Sequence, residues 1–239
     1  MIVKLNEFPQ EFLGSDIFAT KIECDFTAYS GYDFAQFFKA VDDNDRTTAV
    51  ISLIDSFMFI SENNADTDEL KEFITLLRPK GVLCSDSLAE KLDITGKNYY
   101  IMKRTKKGKG KEGFSEEIFA SAVYGDISEF SEGELDLPER DMFVSDFSFK
   151  QRRGLVLAIS NGKSMAVAFG VGAKSVYIGA VATDKRYRNM RFGSRAVEAL
   201  ITALKDKKAY LFCQEKNIPF YEKLKFTVIG QATEFTMGD

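Results

Sequence analysis

Lys185, Arg186, Arg188 and Arg191 fall within seven residues, and Gly193 and Ser194 follow after Phe192. Four cations beside a glycine can hold an anion: arginines offer paired donors to a phosphate, and a glycine lets the backbone come close. The elements on either side suit that chemistry. Val176–Ala182 is an apolar run that reads as a buried strand and turns through Thr183 and Asp184 into the basic loop. From Ser194 to Leu204, Val197, Leu200, Ile201 and Leu204 recur at three-to-four spacing, the pattern of an amphipathic helix. A helix start leaves unpaired N–H groups and the positive end of its dipole pointing outward, which completes an anion site. A solvated strand-to-helix turn has the same composition, so both readings stand at this point.

The stretch VATDKRYRNMRFGSRAVEAL resembles the acyl-CoA-binding motif of the GNAT superfamily of N-acyltransferases. In that family a strand runs into an Arg/Gln-x-x-Gly-x-Gly/Ala loop around the CoA pyrophosphate. The loop here is Arg188-Asn189-Met190-Arg191-Phe192-Gly193, with Arg191 in place of the first glycine. The resemblance implies a pyrophosphate over residues 188 to 194, with Arg188 and Arg191 as charged donors and Gly193 and Ser194 supplying main-chain N–H groups. It also implies that backbone groups of Val181, Ala182 and Thr183 meet the pantetheine arm.

A second segment, Asn217-Ile-Pro-Phe-Tyr221-Glu-Lys-Leu-Lys-Phe226, is similar to the family's closing Asn-x-x-x-Phe-Tyr-x-x-x-Gly-Phe, with Lys225 where glycine is usual. The two motifs stand in the family's order and spacing. Tyr221 is then the candidate general acid: a phenol with an ordinary pKa near ~10 is protonated at neutral pH and can hand a proton to a departing thiolate. Phe220 and Tyr221 also read as a packed aromatic pair. Asn217 either caps the following helix or touches the cofactor. No general base stands out; Glu134, Asp136, Glu139, Asp141 and Asp146 precede a hairpin and are the carboxylates available.

The chain has no histidine, which excludes His-based nucleophile activation, a histidine general base and His-ligated metals together. Cys24, Cys84 and Cys213 are odd in number, far apart and set among apolar neighbours, so they read as buried free thiols, and no metal site is expected. A net charge of −4 gives no general attraction to nucleic acid or an anionic membrane. With no signal-like start and no long apolar run, a cytoplasmic protein is expected.

The first half reads as a faint copy of the second. Thr48–Ile54 and Phe57–Ile60 form a hairpin about Asp55-Ser56; a helix over 68–77 capped by Asp66 or Thr67 follows, then a strand at Val82–Cys84, a short helix over 87–92 and a strand at Tyr99–Met102. Phe73-Ile-Thr-Leu-Leu…Val-Leu-Cys84…Ala89-Glu-Lys-Leu92 echoes Leu200-Ile-Thr-Ala-Leu…Leu-Phe-Cys213…Tyr221-Glu-Lys-Leu224, though chance similarity of two helix–strand pairs is the alternative. In the first copy Glu62–Thr67 replaces the basic loop and Ala89 stands where Tyr221 would. The second half has its own hairpin, Leu155–Ile159 and Met165–Phe169 about Asn161-Gly162. Phe26, Tyr29, Tyr32, Phe34, Phe37 and Phe38 pack a core or line a pocket. Lys103–Gly113, dense in charge and glycine, predicts a solvated linker, with a nucleic-acid patch as the weaker alternative.

The expectation is therefore an α/β (α+β) protein of mixed sheets flanked by helices, in two tandem GNAT-like lobes: a degenerate one over 1–103, a basic linker over 104–114 and an acyltransferase domain over 115–239. The resemblance implies transfer of an acetyl group from acetyl-CoA to an amine on a small molecule or protein, by a monomer or homodimer. A non-catalytic acyl-CoA-binding or sensor protein, or an interaction scaffold with a degenerate cofactor site, is the alternative.

Overall fold

A computed structural model describes residues 1–108, 110, 112–116, 118–135 and 137–236. The first half runs β1 (Ile2–Lys4), α1 (Ile17–Tyr29), β2 (Ala35–Val41), β3 (Thr47–Ile54), β4 (Phe57–Glu62), α2 (Thr67–Leu77), β5 (Gly81–Ser85), α3 (Asp86–Leu92) and β6 (Lys97–Arg104). The second runs α4 (Ala120–Ser131), α5 (Arg140–Gln151), β7 (Leu157–Ser160), β8 (Ser164–Val171), β9 (Ser175–Thr183), α6 (Phe192–Ala203), β10 (Lys208–Cys213), α7 (Ile218–Lys223) and β11 (Thr227–Thr236). Among the described residues no helix is long and apolar enough to cross a membrane.

The turns follow their residues. Asp55 and Ser56 both take positive φ between β3 and β4, the tight hairpin geometry that such polar residues tolerate. Asn161 Oδ1 accepts from the N–H groups of Lys163 and Ser164, closing the β7–β8 turn.

The two halves share the order strand, helix, strand, helix, strand: β4-α2-β5-α3-β6 and β9-α6-β10-α7-β11. They form one eleven-stranded sheet rather than separate ones, in the order β1-β2-β3-β4-β5-β11-β6-β10-β9-β8-β7. The last strands are exchanged: β11 pairs with β5 of the first half, β6 pairs with β10 of the second, and the two lie antiparallel to each other at the centre. Backbone N–H and C=O groups at both inner edges are thereby satisfied by the opposite half.

Four strands separate β4 from β9, yet α1 packs on β3 and β4 and also on β8 and β9. The sheet therefore curls around α1. Packed on both arms of the sheet, α1 buries Ile17, Phe18, Ala19, Ile22, Cys24, Ala28 and even Asp25, and shows no one-sided apolar stripe to mark it as a helix. Asp25 is ion-paired to Lys21 and, at 3.1 Å, to Lys150 of α5. Burial favours the neutral acid, but Lys21 and Lys150 outweigh it and hold Asp25 below the usual carboxylate range. Lys150 also pairs with Asp146 at 3.2 Å, and Tyr29 donates to that same carboxylate.

The N-terminal aromatics pack rather than line a pocket: Phe26 meets Phe37 edge-on at 5.3 Å, and Phe38 meets Phe73 at 4.9 Å. Tyr29, Tyr32 and Phe34 cluster on Phe149, the last two about half exposed at 46% and 47%. The three cysteines are buried and free.

In the basic segment read as a solvated linker, Thr105, Lys106, Lys107, Gly110, Glu112 and Gly113 are exposed, while its start is anchored. Lys103 and Arg104 end β6, and Arg104 is 2% exposed, its guanidinium bidentate on Glu198 of α6 at 2.8 and 3.0 Å and donating to the Leu224 carbonyl at 2.6 Å. Gly108 lies against α6 so closely that a Cβ would stand 2.3 Å from Thr202 Oγ1, and Lys107 pairs with Asp206 at 2.7 Å. Arg104 and Lys107 thus have acidic partners far along the chain, and Gly108 lies against α6. Lys109 and Lys111 lie outside the described residues.

Candidate active site

The site begins where two parallel strands part. β9 pairs with β10 only from Ser175–Lys208 to Ile178–Leu211. Beyond that point Phe212 and Cys213 continue along β6, while β9 continues along β8 to Thr183. The register of β8 and β9 shifts at Gly179, where a Cβ would stand 2.1 Å from the Phe169 ring. The shift bends β9 away from β10 and re-aims its side chains. Val176, Ile178 and Val181 face α6, whereas Ala180 and Ala182 pack against α4 and α5. Among the described residues, the edge of Val181, Ala182 and Thr183 turned toward the gap has no strand partner.

At the end of β9, Asp184 is buried and caps a 3-10 turn over Lys185–Tyr187 by accepting from the Arg186 N–H at 2.9 Å. Its hydrogen bonds from Arg186 hold its carboxyl below the usual range. Three of the four cations turn back onto the chain: Arg186 pairs with Asp184, Lys185 with Glu132 at 3.1 Å, and Arg188 with Glu132 at 2.9 Å. Arg188 also donates to the carbonyls of Thr183 and Phe130, at 3.1 and 2.9 Å. Expected to face a phosphate, it instead ties the loop to the C-terminal end of α4.

Asn189 and Met190 are exposed, and Asn189 takes φ of 64°. Arg191 adopts φ of 63° at the position where the related motif has glycine, and Lys225 adopts 67° at the other such position. Both departures keep the left-handed backbone that glycine favours, at a cost of about 1 kcal/mol each. Arg191 is exposed; its carbonyl accepts from the Arg195 N–H at 3.0 Å, while its side chain makes no hydrogen bond or ion pair among the described residues. It heads α6 without a side-chain cap, so the N–H groups of Phe192, Gly193 and Ser194 start the helix facing outward. A Cβ on Gly193 would stand 2.9 Å from Thr183 Oγ1, so this glycine lets the helix start close on the strand end. Phe192 is held edge-on by Tyr187 at 5.7 Å. The corresponding helix start in the first half is closed: Asp66 caps α2 by accepting from Asp68 and Glu69 N–H, with two more acids in that turn.

Tyr221 lies on α7, edge-on to Phe220 at 4.9 Å and to Phe226 at 5.7 Å. Its phenol is driven well above the ordinary range by burial, with Cys213 of β10 and Tyr177 of β9 adding to the shift. Groups on both parting strands are thus within electrostatic reach of it. The Cys213 thiol, pushed up to about 11 by burial, is inert at neutral pH. Asn217 occupies the cap position of α7, but its exposed side chain makes no cap bond.

Of the carboxylates expected to supply a base, Asp146 is engaged by Lys150 and Tyr29, and Glu134 pairs with Lys216 at 3.7 Å. Glu139 and Asp141 are exposed at the start of α5, and Asp136 lies outside the described residues. The sequence reading missed Tyr177, Phe212, Tyr99 and Glu234, which the curl of the sheet gathers on its inner face beside the gap. Strand alternation in β6 and β10 marks Tyr99 and Phe212 as facing one way; nothing local marks their closeness to β11.

An uncapped helix start, a left-handed residue before it and a V-shaped gap between parallel strands occur together between residues 178 and 213. The model of the acetyltransferase (GNAT) family matches residues 121–226. This part of the chain is a GNAT domain. The match opens in α4 and stops at Phe226, before the exchanged β11. Solved structures share the fold over most of the chain. A GCN5-related N-acetyltransferase from Sphaerobacter thermophilus is 10% identical with a TM-score of 0.57, covering 90% of this chain and 84% of that one. A tandem GNAT protein from the clavulanic acid biosynthesis pathway is 9% identical with a TM-score of 0.54, covering 99% and 98%. A GNAT-family acetyltransferase from Colwellia psychrerythraea is 11% identical with a TM-score of 0.52 over the full length of both chains. No curated protein matches the sequence.

Proposed function

We propose that the protein is an acyl-CoA-dependent N-acyltransferase that moves an acetyl group from acetyl-CoA to an amine. The observation that carries this reading is the contrast between the two equivalent helix starts. Asp66 fills one with the chain's own carboxylate, whereas the other is uncapped, cationic and set at the mouth of the β9–β10 gap. The donors present fit a pyrophosphate: outward N–H groups of residues 192–194, the dipole of α6 and the exposed Arg191 guanidinium.

Coenzyme A supplies an acyl group activated as a thioester. The unpaired edge of β9 offers backbone partners to an extended arm and so aligns it along the strand. Tyr221 keeps its proton through neutral pH and stands beside the gap, where it can pass that proton to a leaving sulfur. The test is direct. Calorimetry should detect CoA binding, and acetyl-CoA with a panel of amines should release free thiol. Binding without release on any amine would favour a non-catalytic CoA-binding protein, and no binding would remove both readings.

A further inference from the structure

Alternation sends Tyr210 and Phe212 of β10, Tyr99 and Ile101 of β6, Tyr177 of β9 and Glu234 of β11 to the inner, concave face of the sheet. Phe212 is the first residue of β10 past its last pair with β9, so it floors the gap. Its ring meets Tyr177 at 5.7 Å, Phe18 of α1 at 5.7 Å and Tyr99 at 6.3 Å. At the far end of this aromatic floor, Glu234 accepts a hydrogen bond from the Tyr99 hydroxyl at 2.7 Å. Tyr99, Tyr177, Phe212 and Glu234 are all half-buried. The exposed Lys97, opposite Glu234 in the β6–β11 pairing, holds its ammonium 5.0 Å from the centre of the Tyr99 ring. A primary ammonium of the chain itself therefore already rests on this floor near this carboxylate.

We infer that the acceptor is an elongated diamine, one nitrogen presented at the β9–β10 gap and the other, as an ammonium, held by Glu234 across the aromatic floor of Phe212 and Tyr99. The inference rests on the acyltransferase reading and deepens it. A half-buried carboxylate beside aromatic faces favours a cation over any neutral group. The register sets the length. Lys97, opposite Glu234, and Ile101, opposite Phe212, are four residues apart on β6, which at the rise of a strand is about 13 Å along it. That span calls for a chain of several methylenes between the nitrogens. Burial, with Glu234 and Tyr99 adding, pushes the Tyr177 phenol up to about 12, so this wall stays neutral and leaves Glu234 as its anion. Phe18, Lys97 and Tyr99 come from the first half, which thereby shapes the acceptor cleft of the second.

Linear diamines of increasing chain length and monoamines of matched length, titrated onto the full chain with CoA and assayed with acetyl-CoA, test this. The longer diamines should bind and react in preference to the matched monoamines. Glu234→Gln should raise the diamine KM about tenfold or more with kcat and the monoamine values unchanged, the scale of a lost charged hydrogen bond. Tyr99→Phe should shift KM the same way by less, and Lys97→Met should tighten diamine binding by removing the resident cation. Equal use of monoamines and diamines, or a diamine KM unmoved by Glu234→Gln, would overturn the inference while leaving the acyltransferase reading intact. A chain that binds no CoA fails that reading instead. Diamine calorimetry without CoA then still decides the present one: binding lost in Glu234→Gln supports it, and no binding refutes it.

Discussion

Asp66 and Arg191 occupy corresponding corners of the two halves, each the last residue before the helix that links a parting pair of parallel strands. Asp66 turns its carboxylate onto the N–H groups of α2, while Arg191 leaves those of α6 open. In the first half β4 also leaves β5 after Phe59–Leu83, so the gap recurs but its anion site does not.

One CoA per chain is therefore expected, and calorimetric titration should saturate at a single equivalent. Asp66→Ala should leave that stoichiometry and affinity unchanged, whereas Gly193→Val, which drives a side chain into Thr183, should weaken binding about tenfold or more. Two equivalents of equal affinity would show that the acidic turn does not exclude the ligand.

Arg191→Gly separates charge from backbone. Glycine takes the left-handed conformation without strain, so the melting temperature should hold or rise slightly. Loss of the exposed guanidinium should nevertheless weaken CoA binding about tenfold, the worth of one charge-assisted hydrogen bond. Unchanged affinity would mean that the main chain alone holds the phosphates.

Tyr221→Phe removes the proton and keeps the ring among Phe220 and Phe226. A fall in kcat of about 100-fold or more, with CoA affinity unchanged, is expected for a general acid. Because the folded phenol lies above its ordinary value, it stays protonated well past neutrality. The wild-type rate should then show no loss assignable to this acid below about pH 10.

Asp25→Asn should destabilise the fold by about 3 kcal/mol, since it leaves the buried Lys150 with Asp146 as its remaining ion-pair partner. The folded carboxyl is the stronger acid, so its stabilising share is present above about pH 4 and is lost as pH falls through the lower, folded value. The difference in melting temperature between variant and wild type should accordingly shrink in acid and stay constant from pH 5 to 8. A gap that does not shrink would locate the effect in packing.

Short-range pattern made much of this legible. The strand at 176–182, the helix with Val197, Leu200, Ile201 and Leu204 inward, and both hairpins follow from periodicity and turn residues, because each buries one face against a neighbour close in sequence. What escaped was set by distant partners. Helix α1 has no polar side, since the sheet wraps it; Arg104 looks solvated until Glu198 is placed beside it. Arg188 reads as a phosphate ligand because its motif position says so, and only the fold brings Glu132 and the Phe130 carbonyl to it. Glu234 went unseen because its neighbours Tyr99 and Lys97 precede it by more than a hundred residues.

The crossing of β6 and β11 makes the chain indivisible. Cleaved between its halves, each fragment would keep a closing strand shaped for the other and an empty flank where its own should lie, so the pieces would re-associate rather than act as autonomous modules. The same interlock would form if two identical subunits traded their final strands across a two-fold axis. Held in a single polypeptide, it makes each half the closing edge of the other's part of the sheet.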